Sequence, residues 1–299
     1  MAMHDDEIQV SEPVVRSLLK NQFPELGGEP ILKVESSGTV NAIFRIGEDL
    51  AARFPLRRRN PGVEWEALEV EASASAEFSR CSPFPGPQPV AIGEPGESYP
   101  LPWVIQTWLP GTVAEDGSGA ASTRLALDIV ELITALRSVD TIGRSFGRSG
   151  RGGDLRDHDA WVQECLKKSR SLLDVPRLSA RWDQFVGLPR SAQDVMSHGD
   201  LTPSNVLVAD GRLVGVLDCG GFGPADPALD LIAAWHLLDD ERREVFREAL
   251  APGALEWERG KAWAFEQSMG AVWYYEHSNP SMSAMGRRTL ERILADSAS

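Results

Sequence analysis

The sequence predicts an α+β protein in which a small antiparallel-sheet region precedes a larger, mainly helical one. Three features carry this expectation. Residues 31–54 alternate short strand-forming runs with Gly-bearing turns. After Gly111 the apolar residues adopt a helical period, first at Leu125, Ile129, Leu132 and Leu136. Further on, Asp210-Gly211 divides two Val- and Leu-rich runs, the signal of a two-residue hairpin.

Taken in order, ILKVES (31–36), NAIFRI (41–46) and LAARF (50–54) are strands of a meander, separated by Ser37-Gly38-Thr39 and Gly47-Glu48-Asp49. GVEWEALEVEASASAEF (62–78) sets Trp65, Leu68 and Ala72 at helical spacing. WVIQTWL (103–109) is an apolar strand inside a segment punctuated by Pro and Gly. RLALDIVELITALRSV (124–139) is a helix with one buried face, and AWVQECLKKSRSLL (160–173) repeats the pattern more weakly. Between them GRSFGRSGRGGDLRD (143–157) reads as an exposed loop. Asp226-Pro227 has the form of a helix start, Asp as N-cap and Pro in the first turn. Helices are expected from there to the C-terminus. The change of texture places a boundary near Leu109, giving regions 1–109 and 110–299.

Composition narrows the function classes. Of 299 residues, 30 are Lys or Arg and 44 are Asp or Glu, a net charge of −14. That sign argues against nucleic-acid and anionic-membrane partners and permits a cationic substrate. Cys81, Cys165 and Cys219 show no metal-ligand spacing, and so sparse a set suits a reducing cytoplasm. The start MAMHDDEIQVSE is acidic and polar, unlike a secretion signal. No run approaches the roughly 18 apolar residues of a membrane span.

The chemistry concentrates in SHGDLTPSNVLVADGRLVGVLDCGGFGPADPALDL (197–231). A hairpin closed at Asp210-Gly211 brings Asn205 and Asp218 within one residue of facing each other at its open end. Two oxygen donors on a stiff element suit Mg²⁺, which commonly takes one or two carboxylates plus substrate phosphates. Asp200 precedes Asn205 by five residues, the spacing of a catalytic base and a metal-binding Asn in phosphoryl transfer, with a second metal-binding Asp beyond. Such a reaction needs a carboxylate to accept the hydroxyl proton and cations to offset phosphate charge. Singly, Asp200 and Asn205 are also ordinary turn residues and Asp218 an ordinary strand end; the full set, with His198-Gly199 ahead of Asp200, argues for a site. Asp226 is read as structural, and Asp230, one turn on, as fixing the loop by hydrogen bonding.

On His198-Gly199-Asp200, Asn205, Asp218, Asp226-Pro227 and Asp230-Leu231 the chain resembles the aminoglycoside/macrolide phosphotransferase family, small-molecule relatives of the protein kinases. The resemblance implies a protein-kinase-like bilobal fold with ATP or GTP between the lobes. It implies Asp200 as catalytic base, Asn205 and Asp218 as Mg²⁺ ligands, and His198, Asp226 and Asp230 as structural support. The third strand should carry a basic residue for the α/β-phosphates. Here it is Arg53, where many relatives have Lys, and its Glu partner is best matched by Glu71, with Glu69 as rival. Ser37, Gly38 and Thr39 would meet phosphate through backbone N–H groups, and Gln106, Trp108 and Leu109 would hold the base at the lobe hinge. Ser36-Ser37-Gly38-Thr39 has a single glycine, Cys219 stands where protein kinases have Phe, and no A-P-E segment follows. Seven residues between Asp218 and Asp226 leave no room for an activation loop, which favours a small acceptor over a protein.

The family's acceptor position directs attention to residues 257–280, where Glu266, Trp273, Tyr274 and Glu276 set carboxylates beside aromatic rings, as a polycationic sugar would require. At helical spacing, Trp263, Phe265 and Trp273 equally suit a core, and His236 and His277 are read as structural. The leading functional reading is an ATP- or GTP-dependent O-phosphotransferase that inactivates an aminoglycoside antibiotic, as a cytoplasmic monomer or homodimer. The alternatives are a kinase for another small hydroxyl metabolite, a macrolide or cyclic-peptide kinase, and a kinase fold that only binds ligand.

Overall fold

The computed structural model describes residues 8–34, 41–96, 99–114, 117, 119–147, 150–190 and 192–296. The chain divides into two compact units, one of Met1–Arg80, Pro85–Pro110 and Asp218–Gly220, the other of Cys81–Phe84, Gly111–Leu217 and Gly221–Ser299.

The first unit opens with α1 (Glu12–Gln22), which buries Val15, Leu18 and Leu19. Strands β1 (Ile31–Val34), β2 (Asn41–Ile46) and β3 (Leu50–Pro55) form the expected meander. After α2 (Pro61–Cys81) come β4 (Pro89–Gly93) and β5 (Trp103–Thr107). The sheet order is β1-β2-β3-β5-β4, antiparallel throughout. Phe44, Phe54, Trp103 and Ile105 meet α1 in one core, where Phe54 stacks on Trp103 at 4.9 Å between ring centroids. Period-two alternation along β3 sends Phe54 into that core and turns Arg53 to the opposite face. Neither α1 nor β4 is evident in the sequence reading. The α1 stripe is only three residues wide, and a Pro begins β4.

The second unit begins with β6 (Thr112–Val113) and α3 (Thr123–Arg137), whose buried face includes Leu125, Ile129, Leu132 and Leu136 as the period requires. Next come α4 (Asp159–Lys168) and α5 (Val175–Phe185), then β7 (Val195–Ser197). The hairpin is β8 (Val206–Ala209) and β9 (Arg212–Val216), to which β6 adds a third strand. Asp210 and Gly211 have φ of 50° and 71°, the left-handed pair that a twisted two-residue hairpin demands. Hydrogen bonds with Ser122 and Asp128 pin the hairpin to the region of α3. Ser122 Oγ donates to the Gly211 carbonyl at 2.6 Å, and buried Asp128 accepts both Arg212 Nε and Nη2, at 2.6 and 2.7 Å. Beyond β10 (Gly223–Ala225), which pairs with β7, lie α6 (Ile232–Leu237), α7 (Asp240–Leu250), α8 (Ala254–Tyr274) and α9 (Pro280–Ala295).

Two sequence expectations are corrected. Residues 143–157 are not wholly an exposed loop: Gly152, Gly153 and Leu155 are buried. No α-helix begins at Pro227 either. Asp226 caps a tight turn, accepting Ala228 N–H at 3.0 Å, and helix resumes at Ile232. Its other carboxylate oxygen explains the difference. Asp226 Oδ2 accepts Arg259 Nε at 2.7 Å and Trp263 Nε1 at 3.2 Å, so the aspartate is anchored on α8. Both members of this ion pair are fully buried, Asp226 at 1% and Arg259 at 0% exposure. Removing one partner strands the other charge without solvent. Asp226→Ala is expected to cost about 3–5 kcal/mol in urea unfolding; a loss below about 1 kcal/mol would show that the Leu188 and Gly153 carbonyls suffice for Arg259.

Candidate active site

In the second unit the loop after β7 is set by Asp230. Its carboxylate accepts the backbone N–H of His198 at 3.0 Å and of Gly199 at 2.8 Å. Gly199 adopts φ 85°, a conformation open to glycine, which turns the chain so that Asp200 follows. His198 is buried. Its Nε2 donates to the Leu217 carbonyl at 2.9 Å, while Nδ1 accepts Asp200 N–H at 3.3 Å. The loop is thereby tied to the end of β9. Asn205 N–H bonds Thr202, and its carbonyl accepts Leu217 N–H at 2.8 Å, extending the hairpin register so that Asp218 is the next residue along.

Asp200 is held by three elements at once. Oδ1 accepts Arg151 Nη2 at 3.0 Å and Gln267 Nε2 at 2.6 Å, and Oδ2 accepts Asn205 Nδ2 at 2.9 Å. A carboxylate offers about four lone-pair sites, so one on Oδ2 remains for a hydroxyl proton. Asn205 Nδ2 also reaches the Asp200 carbonyl at 2.9 Å. Both amide hydrogens are thus spent on Asp200, and the amide oxygen is left for another partner.

Glu266, one residue before Gln267 on α8, is buried. Its Oε1 meets His158 Nδ1 at 2.9 Å, whereas Oε2 has no hydrogen-bond partner and lies 3.9 Å from Arg151 Nη1. The Glu266 hydrogen bond raises the His158 pKa above its usual value against the opposing effect of burial. The Gly150 carbonyl at 3.1 Å from Nε2 gives the second ring nitrogen an acceptor as well.

In the first unit Arg53 is the hub. Its Nη2 lies 3.6 Å from Glu71 Oε2 and 3.9 Å from Asp218 Oδ1, and Nη1 makes a long 3.5 Å bond to Gln106 Oε1. Glu71, not Glu69, faces Arg53; Glu69 is exposed. Burial raises the Glu71 pKa, with Arg53 opposing and Asp218 reinforcing the shift. Asp218 takes φ 57°, a left-handed conformation uncommon for a non-glycine residue and frequent at functional sites. Arg53, Leu68, Glu71, Val104 and Gln106 line a shallow open cleft. Trp108 N–H is committed to the Asp49 carbonyl at 2.7 Å, so a base held here would use other backbone groups near Leu109. Ser37, Gly38 and Thr39 lie outside the described residues.

Residues 32–263 match the model of the phosphotransferase enzyme family. The chain belongs to that family. Among curated relatives, an aminoglycoside 3'-phosphotransferase of Streptomyces fradiae is 27% identical over 242 residues, covering 67% of this chain and 90% of the relative. One from Escherichia coli is 38% identical over 53 residues, a local match that spans 18% of this chain and 20% of that relative. Among solved structures, a GDP complex of aminoglycoside 2'-phosphotransferase-IIIa superposes with a TM-score of 0.74 at 19% identity, covering 96% of this chain and 99% of that one. A macrolide 2'-phosphotransferase from Brachybacterium faecium gives 0.57 at 21% identity, covering 88% and 92%. The α+β, kinase-like fold expected from the sequence is the fold found, and the chain is a phosphotransferase, an enzyme.

The Asn205 amide oxygen in the second unit and the half-exposed Asp218 carboxylate in the first are each hard oxygen donors of the kind Mg²⁺ takes. Among the described residues no three His, Cys, Asp or Glu side chains form a metal cluster, so oxygens from a bound ligand would complete the shell. The acceptor-side residues are dispersed. Trp273 packs on Trp161 at 6.1 Å between centroids, Tyr274 is exposed beside it, and Glu276 lies past the end of α8, 3.8 Å from His277. Seven residues of helix separate Glu266 from Trp273, roughly 10 Å. Two side chains that bond Asp200 were missed from the sequence: Arg151 sits in a segment expected to be an exposed loop, and Gln267 has no motif. His236, read as structural, is buried between Gln267 and Thr289.

His236 bears on stability. It is buried, and burial lowers its pKa from 6.5 to about 4, with Gln267 and Asp200 opposing and Arg151 and Arg292 adding to the drop. Between those values the unfolded chain takes up a proton that the folded chain refuses, so stability falls as pH falls. The loss should reach about 2 kcal/mol by pH 5. Urea unfolding at pH 7 and pH 5 checks this: wild type should lose more than His236→Gln, and equal losses would remove His236 as the cause.

Proposed function

We propose that the protein transfers the γ-phosphoryl group of ATP or GTP to a hydroxyl of a small molecule, and that its acceptor is an aminoglycoside antibiotic. The observation that carries this reading is the Asp200 carboxylate, held by three donors with one acceptor position left on Oδ2. In that position Asp200 takes the proton of the acceptor hydroxyl as its oxygen bonds phosphorus and the nucleoside diphosphate leaves. Arg53 offers its guanidinium to the phosphates, and Glu71 steadies it. Asn205 and Asp218 would hold Mg²⁺, which when bound offsets charge on the phosphate oxygens. Ser37, Gly38 and Thr39 would offer backbone N–H groups to phosphate, and Gln106, Trp108 and Leu109 would flank the nucleoside base.

The aminoglycoside reading draws support from the Streptomyces fradiae relative and from Glu266, whose buried Oε2 makes no hydrogen bond and has Arg151 Nη1 at 3.9 Å. Trp273, Tyr274 and Glu276 would extend that surface. A second reading, a kinase for another small hydroxyl metabolite, is favoured by Arg151. A guanidinium 3.0 Å from Asp200 discourages an ammonium group beside the reacting hydroxyl. None of the described helices is long and apolar enough to cross a membrane.

Nucleoside diphosphate release from ATP and from GTP, measured against aminoglycosides, macrolides, sugars and amino alcohols, separates these readings. Asp200→Asn should lower turnover by about 10²–10⁴-fold with nucleotide affinity retained; an unchanged rate rejects Asp200 as base. Asp218→Ala should abolish the Mg²⁺-dependent part of nucleotide binding in titration calorimetry, and undiminished binding would remove Asp218 from the metal site.

A further inference from the structure

Behind Asp200 stands a hydrogen-bonded line of side chains drawn from three helices. Gln267 Nε2 on α8 is 2.6 Å from Asp200 Oδ1, Gln267 Oε1 is 3.1 Å from His236 Nε2 on α6, and His236 Nδ1 is 2.9 Å from Thr289 Oγ1 on α9. The chemistry of the groups gives the line one direction. An ionised carboxylate only accepts, so Gln267 must present its amide nitrogen to Asp200 and its oxygen to His236. His236 then carries its proton on Nε2, and its bare Nδ1 accepts from the Thr289 hydroxyl. The other groups within reach of Thr289 Oγ1, the Trp235 carbonyl at 3.5 Å and Met285 sulfur at 3.8 Å, are more distant. Burial keeps the imidazole neutral, as this arrangement requires.

Gln267 shares Oδ1 with Arg151, but the two anchors differ in stiffness. Arg151 lies between Gly150 and Gly152, at φ of 108° and 114°, whereas Gln267 projects from a 21-residue helix and is braced by two buried side chains. We propose that Gln267, aimed by His236 and Thr289, is the positioning residue that fixes the Asp200 carboxylate so that Oδ2 faces the acceptor hydroxyl. This rests on Asp200 being the base. Gln267 touches no reacting atom; it removes the rotation of a carboxylate that would otherwise have to be oriented in each turnover.

The test has two arms on the full chain. In the kinetic arm, ATP and GTP turnover is followed with kanamycin and with water as acceptors, for Gln267→Ala, Gln267→Glu and Thr289→Val beside Asp200→Asn. Gln267→Ala and Gln267→Glu should each lower kcat about 10-fold or more with nucleotide KM unchanged, the Glu variant because it keeps the length but loses the donated N–H. Thr289→Val, the milder change, should lower kcat less. Wild-type kcat in both Gln267 variants, with Asp200→Asn inactive, overturns the positioning role alone; wild-type kcat in Asp200→Asn instead overturns the base. The second arm needs no turnover. Nitrogen-15 spectra of the His236 ring should show a neutral imidazole protonated on Nε2 at pH 7, and that single tautomer should be lost in Gln267→Ala. A proton on Nδ1 in the wild type reverses the line and overturns the proposal.

Discussion

The loop that carries Asp200 depends on the carboxylate of a distant residue. Asp230 receives two consecutive backbone N–H groups, those of His198 and Gly199, which a loop with no ladder partner would otherwise leave unsatisfied. With those bonds made, the left-handed turn at Gly199 is paid for, and His198 can reach across to the Leu217 carbonyl. The position of Asp200 and the end of β9 are then set together. Loosening that one carboxylate would free both ends of the arrangement, because every later contact to Asp200 assumes where its backbone stands.

The second unit handles its buried charges in two ways. Asp226 and Arg259 are closed on each other, with carbonyls and an indole N–H completing their bonds, and such a pair stabilises position more than it adds net energy. Around Asp200 the charges are left incomplete. Glu266 keeps one oxygen without a hydrogen bond, Arg151 keeps a buried Nε without one, and Asp200 retains an accepting position. Buried groups without hydrogen bonds are costly to a resting protein. The two arrangements differ in how completely their buried charges are satisfied.

Much of this was legible before any coordinates. Asp210-Gly211 determined the hairpin because few residue pairs tolerate two successive positive φ values, and the register followed to within the single irregularity at Leu207/Val208. The α3 stripe was legible because four large apolar residues at helical spacing have no better use than a core. Where local pattern competed with distant partners it failed. Asp226-Pro227 has the composition of a helix start, but bonds to Arg259 and Trp263, 33 and 37 residues away, hold it in a tight turn. The Gly- and Arg-rich segment looks like solvent-exposed loop, yet Arg151 is drawn inward by carboxylates 49 and 115 residues further along.

The sequence by itself determined the placements carried by short spacing: Asp200 and the amide five positions later, the carboxylate that follows the hairpin, and the strand that presents Arg53. Backbone geometry over a few residues is enough for that, since a turn or a strand converts spacing directly into direction. Only the tertiary structure decided which of Glu69 and Glu71 faces Arg53, and which side chains support Asp200. Those partners, Arg151, Gln267 and His236, come from a loop and two helices whose approach depends on how the core packs, and no local period encodes which distant side chain will meet a given carboxylate oxygen.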